Sequence, residues 1–439
     1  MRKILAIDQG STGTTVGIVD SESLQIIALV NREYPQICPK PGWVEHKLED
    51  IWQSIEQATI FLLEKNGISV NELEAIGITN QRETLCSFDL KGNSLGNAIS
   101  WQDRRTYDYC QKKKSEGDEK VILNKTGLPL DPYFSASKMR WMLDNNKAVQ
   151  DAGKSGTLRF GTVDTFLIYK LTGGSFVTEP SNASRTMLMN LKTCNWDGKL
   201  LDLFEIEKKY LPEIKDSFGL FGKTKGLKFL PDGIPITGVL GDQQAALFGQ
   251  AGIKQGQMKC TYGTGAFILL NMGSAIPAPK EGLLATVAYR DSKGPVYALE
   301  GSCYIAGACV QWLRDNLQII ESASAIESLA RSVKDLHEME NLLFFPFFTG
   351  IGSPYWRPQA KASILGITRD STKAHMARAC LDGIALSIED LISAMKKVSN
   401  MNIENLRVDG GAVKNNLLMS IQATISKLNI IRPKIIETT

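Results

Sequence analysis

Two aspartates stand where apolar strands run out into small-residue turns. Asp8 closes the run Ile4 to Ile7 and leads into Gln9-Gly10-Ser11-Thr12-Gly13. Asp242 follows the alternating β-branched stretch from Ile234 and the glycines Gly238 and Gly241, and it opens a small-residue helix through Ala245, Ala246, Leu247 and Phe248. A carboxylate on a strand-to-helix turn projects from the carboxyl edge of a sheet, where α/β folds hold ligands. Taken singly, Asp242 reads equally as a helix N-cap. Two such carboxylates suggest a site for a metal ion and phosphate.

Other polar groups fit the same chemistry. Gly10 and Gly13, set among Ser11, Thr12 and Thr14, make a hairpin that offers N–H groups and hydroxyls to a phosphate, although an ordinary polar β-turn has this composition too. Asn80-Gln81-Arg82-Glu83-Thr84 ends the strand Glu74 to Thr79. Arg82 and Glu83 are able to donate to and accept from hydroxyl groups, or to stand as a solvated loop. Two apparent motifs fail. Gly92-Asn93-Ser94-Leu95-Gly96 has the spacing of a hydrolase elbow, but a strand-like Asn97 to Trp101 follows where a helix is needed. Gly222-Lys223-Thr224 ends like a P-loop, but its first glycine position holds Ser217.

These residues need a frame, and the chain supplies it twice. Strands at 4–8, 14–19 and 26–30, a helix from about Leu48 to Lys65 and the strand at 74–79 form a first set. Strands at 259–262, 266–271 and 296–299 form a second, with Gly263-Thr264-Gly265 at its first turn. Helices at about 306–316 and 373–397, the strand leading to Asp409-Gly410-Gly411 and a helix at 415–427 follow. A repeat of strand meander, helix and strand predicts two halves facing a cleft, with both glycine hairpins directed into it.

Composition narrows the partners. A chain of 439 residues exceeds one comfortable core, so two domains are expected. The net charge of +3 is too small to argue for nucleic acid or an anionic membrane. The apolar start is interrupted by Asp8, unlike a signal peptide, and the uncharged run 260–279 carries Pro277, Pro279 and glycines, unlike a membrane span. The eight cysteines (38, 86, 110, 194, 260, 303, 309 and 380) lack Cys-x-x-Cys spacing, and His46, His337 and His375 lie far apart. Reduced thiols, a cytoplasmic location and no histidine-rich metal site are the expectations.

The chain as a whole resembles the FGGY carbohydrate-kinase family on the actin-like ATPase fold. The motifs that carry the resemblance are Asp8-Gln9-Gly10-Ser11-Thr12, Pro41-Gly42-Trp43-Val44-Glu45-His46, Thr79 to Thr84, Gly161-Thr162-Val163-Asp164-Thr165, Asn182-Ala183-Ser184-Arg185-Thr186, Gly241-Asp242-Gln243-Gln244, Tyr262-Gly263-Thr264-Gly265 and Asp409-Gly410-Gly411, with the run Tyr133 to Asn145. Arg82-Glu83, Trp101 and Asp131-Pro132-Tyr133 resemble the members that act on glycerol rather than on a pentose or hexose. The implied fold is α/β, two actin-like (ribonuclease-H-like) domains at 1–249 and 250–439. The implied reaction is phosphorylation of glycerol to sn-glycerol 3-phosphate by ATP with Mg²⁺.

The resemblance implies roles residue by residue. Asp242 takes the proton from glycerol. Arg82, Glu83, Tyr133 and Gln243 hold its other hydroxyls, and Trp101 and Phe267 wall its carbon chain. Ser11, Thr12, Gly13 and Thr264 meet the phosphates, Asp8 holds Mg²⁺ through water, and Gly307, Gln311, Gly411 and Asn415 line the adenosine site. Departures from the family pattern are Thr15 in place of an arginine and a loop at 224–233 without the arginine used for fructose 1,6-bisphosphate. The family also continues beyond Thr439, so a second domain without its final helices, an exposed apolar patch at 406–408 and 429–431, and weak activity are expected. Glycerol and ATP or ADP are the partners, and self-association stays open. The rivals are a kinase for another small polyol or ketose, and a non-catalytic actin-fold protein.

Overall fold

The computed structural model describes residues 2–339, 341–357, 359–436 and 438. It divides into two units, Met1–Ala245 with Thr286–Val296, and Ala246–Ala285 with Tyr297–Thr439.

The first unit is built on strands β1 (Lys3–Gln9), β2 (Gly13–Asp20), β3 (Ile26–Glu33), β4 (Leu73–Asn80), β5 (Phe218–Lys223) and β6 (Pro235–Gly241). Their order in the sheet is β5-β6-β4-β1-β2-β3. Apolar residues alternate along β1, so Leu5 and Ile7 turn inward and meet Val16, Ile18, Ile76 and Ile78. Helix α1 (Leu48–Lys65) adds Ile51, Ile55, Ala58 and Leu62, the face its spacing predicts. Register does the placing. Gln9 lies opposite Asn80, and Asn80 opposite Gly241, so three parallel strands end level with one another. Helices α2 (Ser135–Asn145) and α3 (Val163–Thr172) lie between β4 and β5 in the chain.

Helix α4 (Asp242–Gly249) follows β6 directly. The second unit carries β7 (Met258–Tyr262), β8 (Ala266–Gly273), β9 (Leu284–Asp291), β10 (Gly294–Cys303), β11 (Asn405–Asp409) and β12 (Asn429–Ile431) in the order β9-β10-β8-β7-β11-β12. The stretch Thr286–Val296 at the turn of β9 and β10 groups with the first unit. Again a hairpin, β7 with β8, is followed across the sheet by parallel neighbours, β11 and β12. Helices α5 (Gly307–Asp315), α6 (Lys373–Ser399) and α7 (Asn416–Ser426) complete the pattern. Leu391 and Met395 of α6 come so close to Gly301 on β10 that a Cβ there would meet them at 3.0 and 3.4 Å.

The expected exposed patch at 406–408 is corrected, and a segment polar in composition proves buried. Residues 181–186 form short helical turns (Pro180–Ala183 and Ser184–Thr186) that are buried throughout. Their polar groups bond one another, so composition alone misjudged their exposure. The apolar side chains of 406–408 are also buried: Leu406 and Val408 sit on an interior strand, bonded on both sides. Exposed apolar groups nearby are Ile431 and Ile435.

Candidate active site

The carboxyl ends of β1, β4 and β6 bring the chemistry-bearing residues of the first unit together. Asp242 is the first helical residue after β6, and its Oδ1 accepts from the N–H of Gln243 at 2.7 Å. The same oxygen lies 3.1 Å from Nε of Arg82, a side chain that is 2% exposed while Asp242 remains 30% exposed. An open carboxylate held against a buried guanidinium is fixed in place and still reachable, as a base must be. Gly241 is required here. A Cβ at that position would meet Arg82 Cδ at 2.6 Å. Arg82 also donates to Gln244 Oε1 at 3.2 Å, and Gln244 donates to the carbonyl of Val287 at 3.1 Å.

Glu83 has a partner that sequence reasoning did not find. Its Oε1 lies 2.5 Å from Nε of Arg185, both groups being buried. Arg82 is thus paired with Asp242 and Glu83 with Arg185. The Glu83 backbone adopts φ of 61°, a left-handed conformation that non-glycine residues rarely take and that clusters at functional sites. Ser135 Oγ donates to its carbonyl at 2.9 Å. The Arg185 guanidinium lies 5.3 Å from the Phe134 ring centre and 5.7 Å from that of Tyr133. Tyr133 meets Trp101 edge to face at 5.7 Å, which forms an aromatic wall. Lys138, wholly buried, donates to the Tyr133 carbonyl at 2.7 Å. Burial lowers its pKa to about 8, against the opposing pull of Glu83.

The hairpin between β1 and β2 is braced by side chains. Gln81 Nε2 donates to Gln9 Oε1, the Gly10 carbonyl and Tyr34 Oη, each at 3.1 Å. Gln9 Nε2 donates to Tyr34 Oη at 2.6 Å, and the Tyr34 hydroxyl donates to the Gly10 carbonyl. Trp101 Nε1 donates to Ser11 Oγ at 2.8 Å, linking the aromatic wall to the hairpin. Thr12 is exposed and Ser11 half-buried, while Asp8 sits half-buried beside the turn. Thr15 accepts from Asn31 at 3.0 Å.

In the second unit the corresponding turn is braced by main chain. The N–H of Gly307 donates to the Gly263 carbonyl at 2.9 Å, and those of Ala306 and Ala308 donate to the Thr264 carbonyl at 2.8 and 3.1 Å. A Cβ on Gly307 would stand 2.6 Å from that Gly263 oxygen. Thr264 is exposed, as is Gln311 one turn further along α5. Phe267 is paired with Thr261 across β7 and β8. Gly411 is exposed, and Asn415 caps α7 by accepting from the Leu418 N–H at 2.9 Å.

An oxygen-only donor set, the Asp8 carboxylate beside the Ser11 and Thr12 hydroxyls, suits Mg²⁺, which is held by one or two carboxylates together with substrate phosphate. Among the described residues no cluster of three or more His, Cys, Asp or Glu is arranged to cage a metal. No helix among them is long and apolar enough to cross a membrane.

Two sheets of repeated topology, each with a braced glycine hairpin, and a partly exposed carboxylate beside a buried arginine describe a phosphotransferase of the sugar-kinase type. The chain belongs to the FGGY family of carbohydrate kinases: the family's N-terminal domain matches residues 3–249 and its C-terminal domain residues 258–439. Within that family it is similar to the glycerol kinase of Myxococcus xanthus, 48% identical over 99% of this chain and 88% of that one. The glycerol kinase of Bdellovibrio bacteriovorus is likewise 48% identical, over the same shares. The crystal structure of Plasmodium falciparum glycerol kinase with ADP superposes with a TM-score of 0.91 at 36% identity, covering all of this chain and 87% of that one.

Proposed function

We propose that the protein transfers the γ-phosphoryl group of ATP to glycerol, giving sn-glycerol 3-phosphate and ADP. The observation that carries the reading is the pairing of Asp242 with Arg82 at 3.1 Å, beside the Trp101–Tyr133 wall, in a chain 48% identical to glycerol kinases. Asp242 accepts the proton of the attacking hydroxyl as its oxygen bonds to phosphorus and the bond to ADP breaks. Arg82 keeps that carboxylate oriented and donates to a glycerol hydroxyl, and Glu83, held by Arg185, accepts from another. Tyr133 and Gln243 complete the hydroxyl contacts, and Trp101 and Phe267 exclude a bulkier sugar by contact with the carbon chain.

The nucleotide is held through Ser11, Thr12, Gly13 and Thr264 at its phosphates, and through Gly307, Gln311, Gly411 and Asn415 at its adenosine. Asp8 would hold Mg²⁺, which would neutralise phosphate charge. In this scheme residues 1–249 carry the glycerol site and phosphate hairpin, and residues 250–439 the nucleotide site. A cytoplasmic setting belongs to the same proposal, supported by eight cysteines that are all free thiols.

A coupled assay of ADP release with glycerol, dihydroxyacetone and xylulose tests it. Glycerol should give the highest kcat/KM. A higher value for xylulose or dihydroxyacetone would assign the chain to a sibling kinase, and no ADP release with any of them would leave it without this activity.

A further inference from the structure

One buried acid is linked, through Ser181 and Asn182, to the ends of the two strands that precede Asp242 and Arg82. Glu179 lies in the first unit, fully buried, just before the turn Pro180–Ala183. Its Oε1 accepts from the Ser181 hydroxyl, from the Asn182 N–H at 2.7 Å and from Asn182 Nδ2 at 3.1 Å. Its Oε2 accepts from the Ser181 N–H at 2.8 Å and the Ser217 hydroxyl at 2.7 Å. Two chains of hydrogen bonds leave this centre. Ser181 Oγ accepts from the N–H of Gly241 at 2.8 Å, and Gly241 immediately precedes Asp242. Asn182 exchanges amide hydrogen bonds with Asn80 at 2.9 and 3.1 Å, and Asn80 Nδ2 donates to the Gln81 carbonyl at 2.8 Å. Asn80 and Gln81 lead directly into Arg82 and Glu83.

We infer that Glu179 is a positioning residue for phosphoryl transfer, which acts through Ser181 to fix the Gly241–Asp242 turn and through Asn182 and Asn80 to fix the Arg82–Glu83 turn. The inference rests on the assignment of Asp242 as base and extends it to the support behind that base. Five donors converge on one carboxyl group, more than an acid serving only to cap a four-residue turn requires. The Ser181 hydroxyl supplies the selective link, because it accepts from one strand end while it donates to the acid. A base must be held close to its productive position, and misplacement by about 1 Å costs as much as ~10²-fold in rate. Burial pushes the Glu179 carboxyl up to about 7, opposed by the Ser181 and Ser217 donors, so those donors also keep it an acceptor.

The test uses the full chain. Ser181→Ala removes the link to Gly241 and leaves Glu179 four of its donors. It should lower kcat on the order of tenfold. The KM for ATP and the melting temperature should stay near wild type, and Ser181→Thr should restore kcat. Ser181→Cys carries the same expectation if Ser181→Ala does not fold, since a thiol is a poorer acceptor of similar size. Unchanged kcat in these variants beside an inactive Asp242→Asn variant would overturn this inference alone. An Asp242→Asn variant that stays active would overturn the base assignment and the inference with it. Loss of kcat and of melting temperature together, without rescue by Ser181→Thr, would reduce Ser181 and Glu179 to a structural role.

Discussion

The two glycine hairpins occupy the same place in two sheets that share the order of five strands, and among the described residues only the first has side chains added to its main-chain brace. The turn after β1 adds side chains to its main-chain bonds: Gln9, Gln81 and Tyr34 converge on the Gly10 carbonyl, beside N–H bonds from Tyr34 to Thr12 and from Gln81 to Gln9. The turn after β7 depends on the peptide backbone, three successive N–H groups at the start of α5 meeting the Gly263 and Thr264 carbonyls. A side-chain brace can be removed one group at a time, whereas a main-chain brace fails only if the helix is pushed away. The first unit also holds the ion pairs, Arg82 with Asp242 and Glu83 with Arg185. Both of these ion pairs thus lie in the unit whose hairpin has the side-chain brace.

The largest effect that this contrast predicts is at Asp242. Asp242→Asn should reduce turnover by roughly 10²–10⁴-fold, the usual contribution of a general base, with ATP binding nearly unchanged by calorimetry. A variant that keeps more than about a tenth of the activity would remove the base from the first unit.

Next comes Arg82→Ala. It should raise the KM for glycerol by roughly 10–100-fold, the range for a lost hydrogen bond to a charged group, and lower kcat because Asp242 loses its partner. An equal change in the KM of both substrates would make Arg82 structural.

The contrast between braces is tested directly by a pair of variants. Gln81→Ala removes one side chain from the first brace, while Gly307→Ala places a Cβ 2.6 Å from the Gly263 oxygen of the second. Both should weaken ATP, Gly307→Ala more, by about tenfold or above in KM if ~1.4 kcal/mol of positioning is lost. A milder effect from Gly307→Ala than from Gln81→Ala would reverse the comparison.

The smallest effect on activity at neutral pH concerns His46, which packs edge to face on Tyr34 behind the first brace at 5.4 Å. Its ring nitrogens have no hydrogen-bond partner among the described residues, and burial lowers its pKa to about 4. The folded chain thus refuses a proton that the unfolded chain accepts, so stability is full above about 6.5 and falls as pH drops toward 4. The loss reaches about 3 kcal/mol at ~1.4 kcal/mol per pH unit. Denaturant melts of wild type and His46→Gln between pH 4 and 7 should show the flatter profile in the variant. Parallel profiles would place the acid sensitivity elsewhere.

Much of this arrangement is legible in the sequence. Alternating apolar residues mark β1, β4 and β6, and glycines next to Asp8 and Asp242 mark their ends. The repeat of meander, helix and strand stands out because both halves follow the same periodicities. Partner choice does not. Nothing local shows that Glu83 pairs with Arg185, 102 residues away. The buried segment 179–186 is polar in composition, so it reads as surface. Only the folded chain shows its polar groups satisfied by Asn80, Ser217 and Gly241. The α5 brace is invisible for a different reason, since main-chain donors leave no trace in side-chain identity beyond a single glycine.

The level ends of β1, β4 and β6 make segment length itself a constraint on change. Each strand is a fixed count of residues from a buried anchor to a reactive turn. One added residue in Leu73–Asn80 would turn Ile76 and Ile78 to the opposite face and carry Arg82 and Glu83 off their marks. The exposed turn at 21–25 bears no such count. Descendants of this chain are therefore free to vary in length at that turn, but along the three strands they are held to substitution alone.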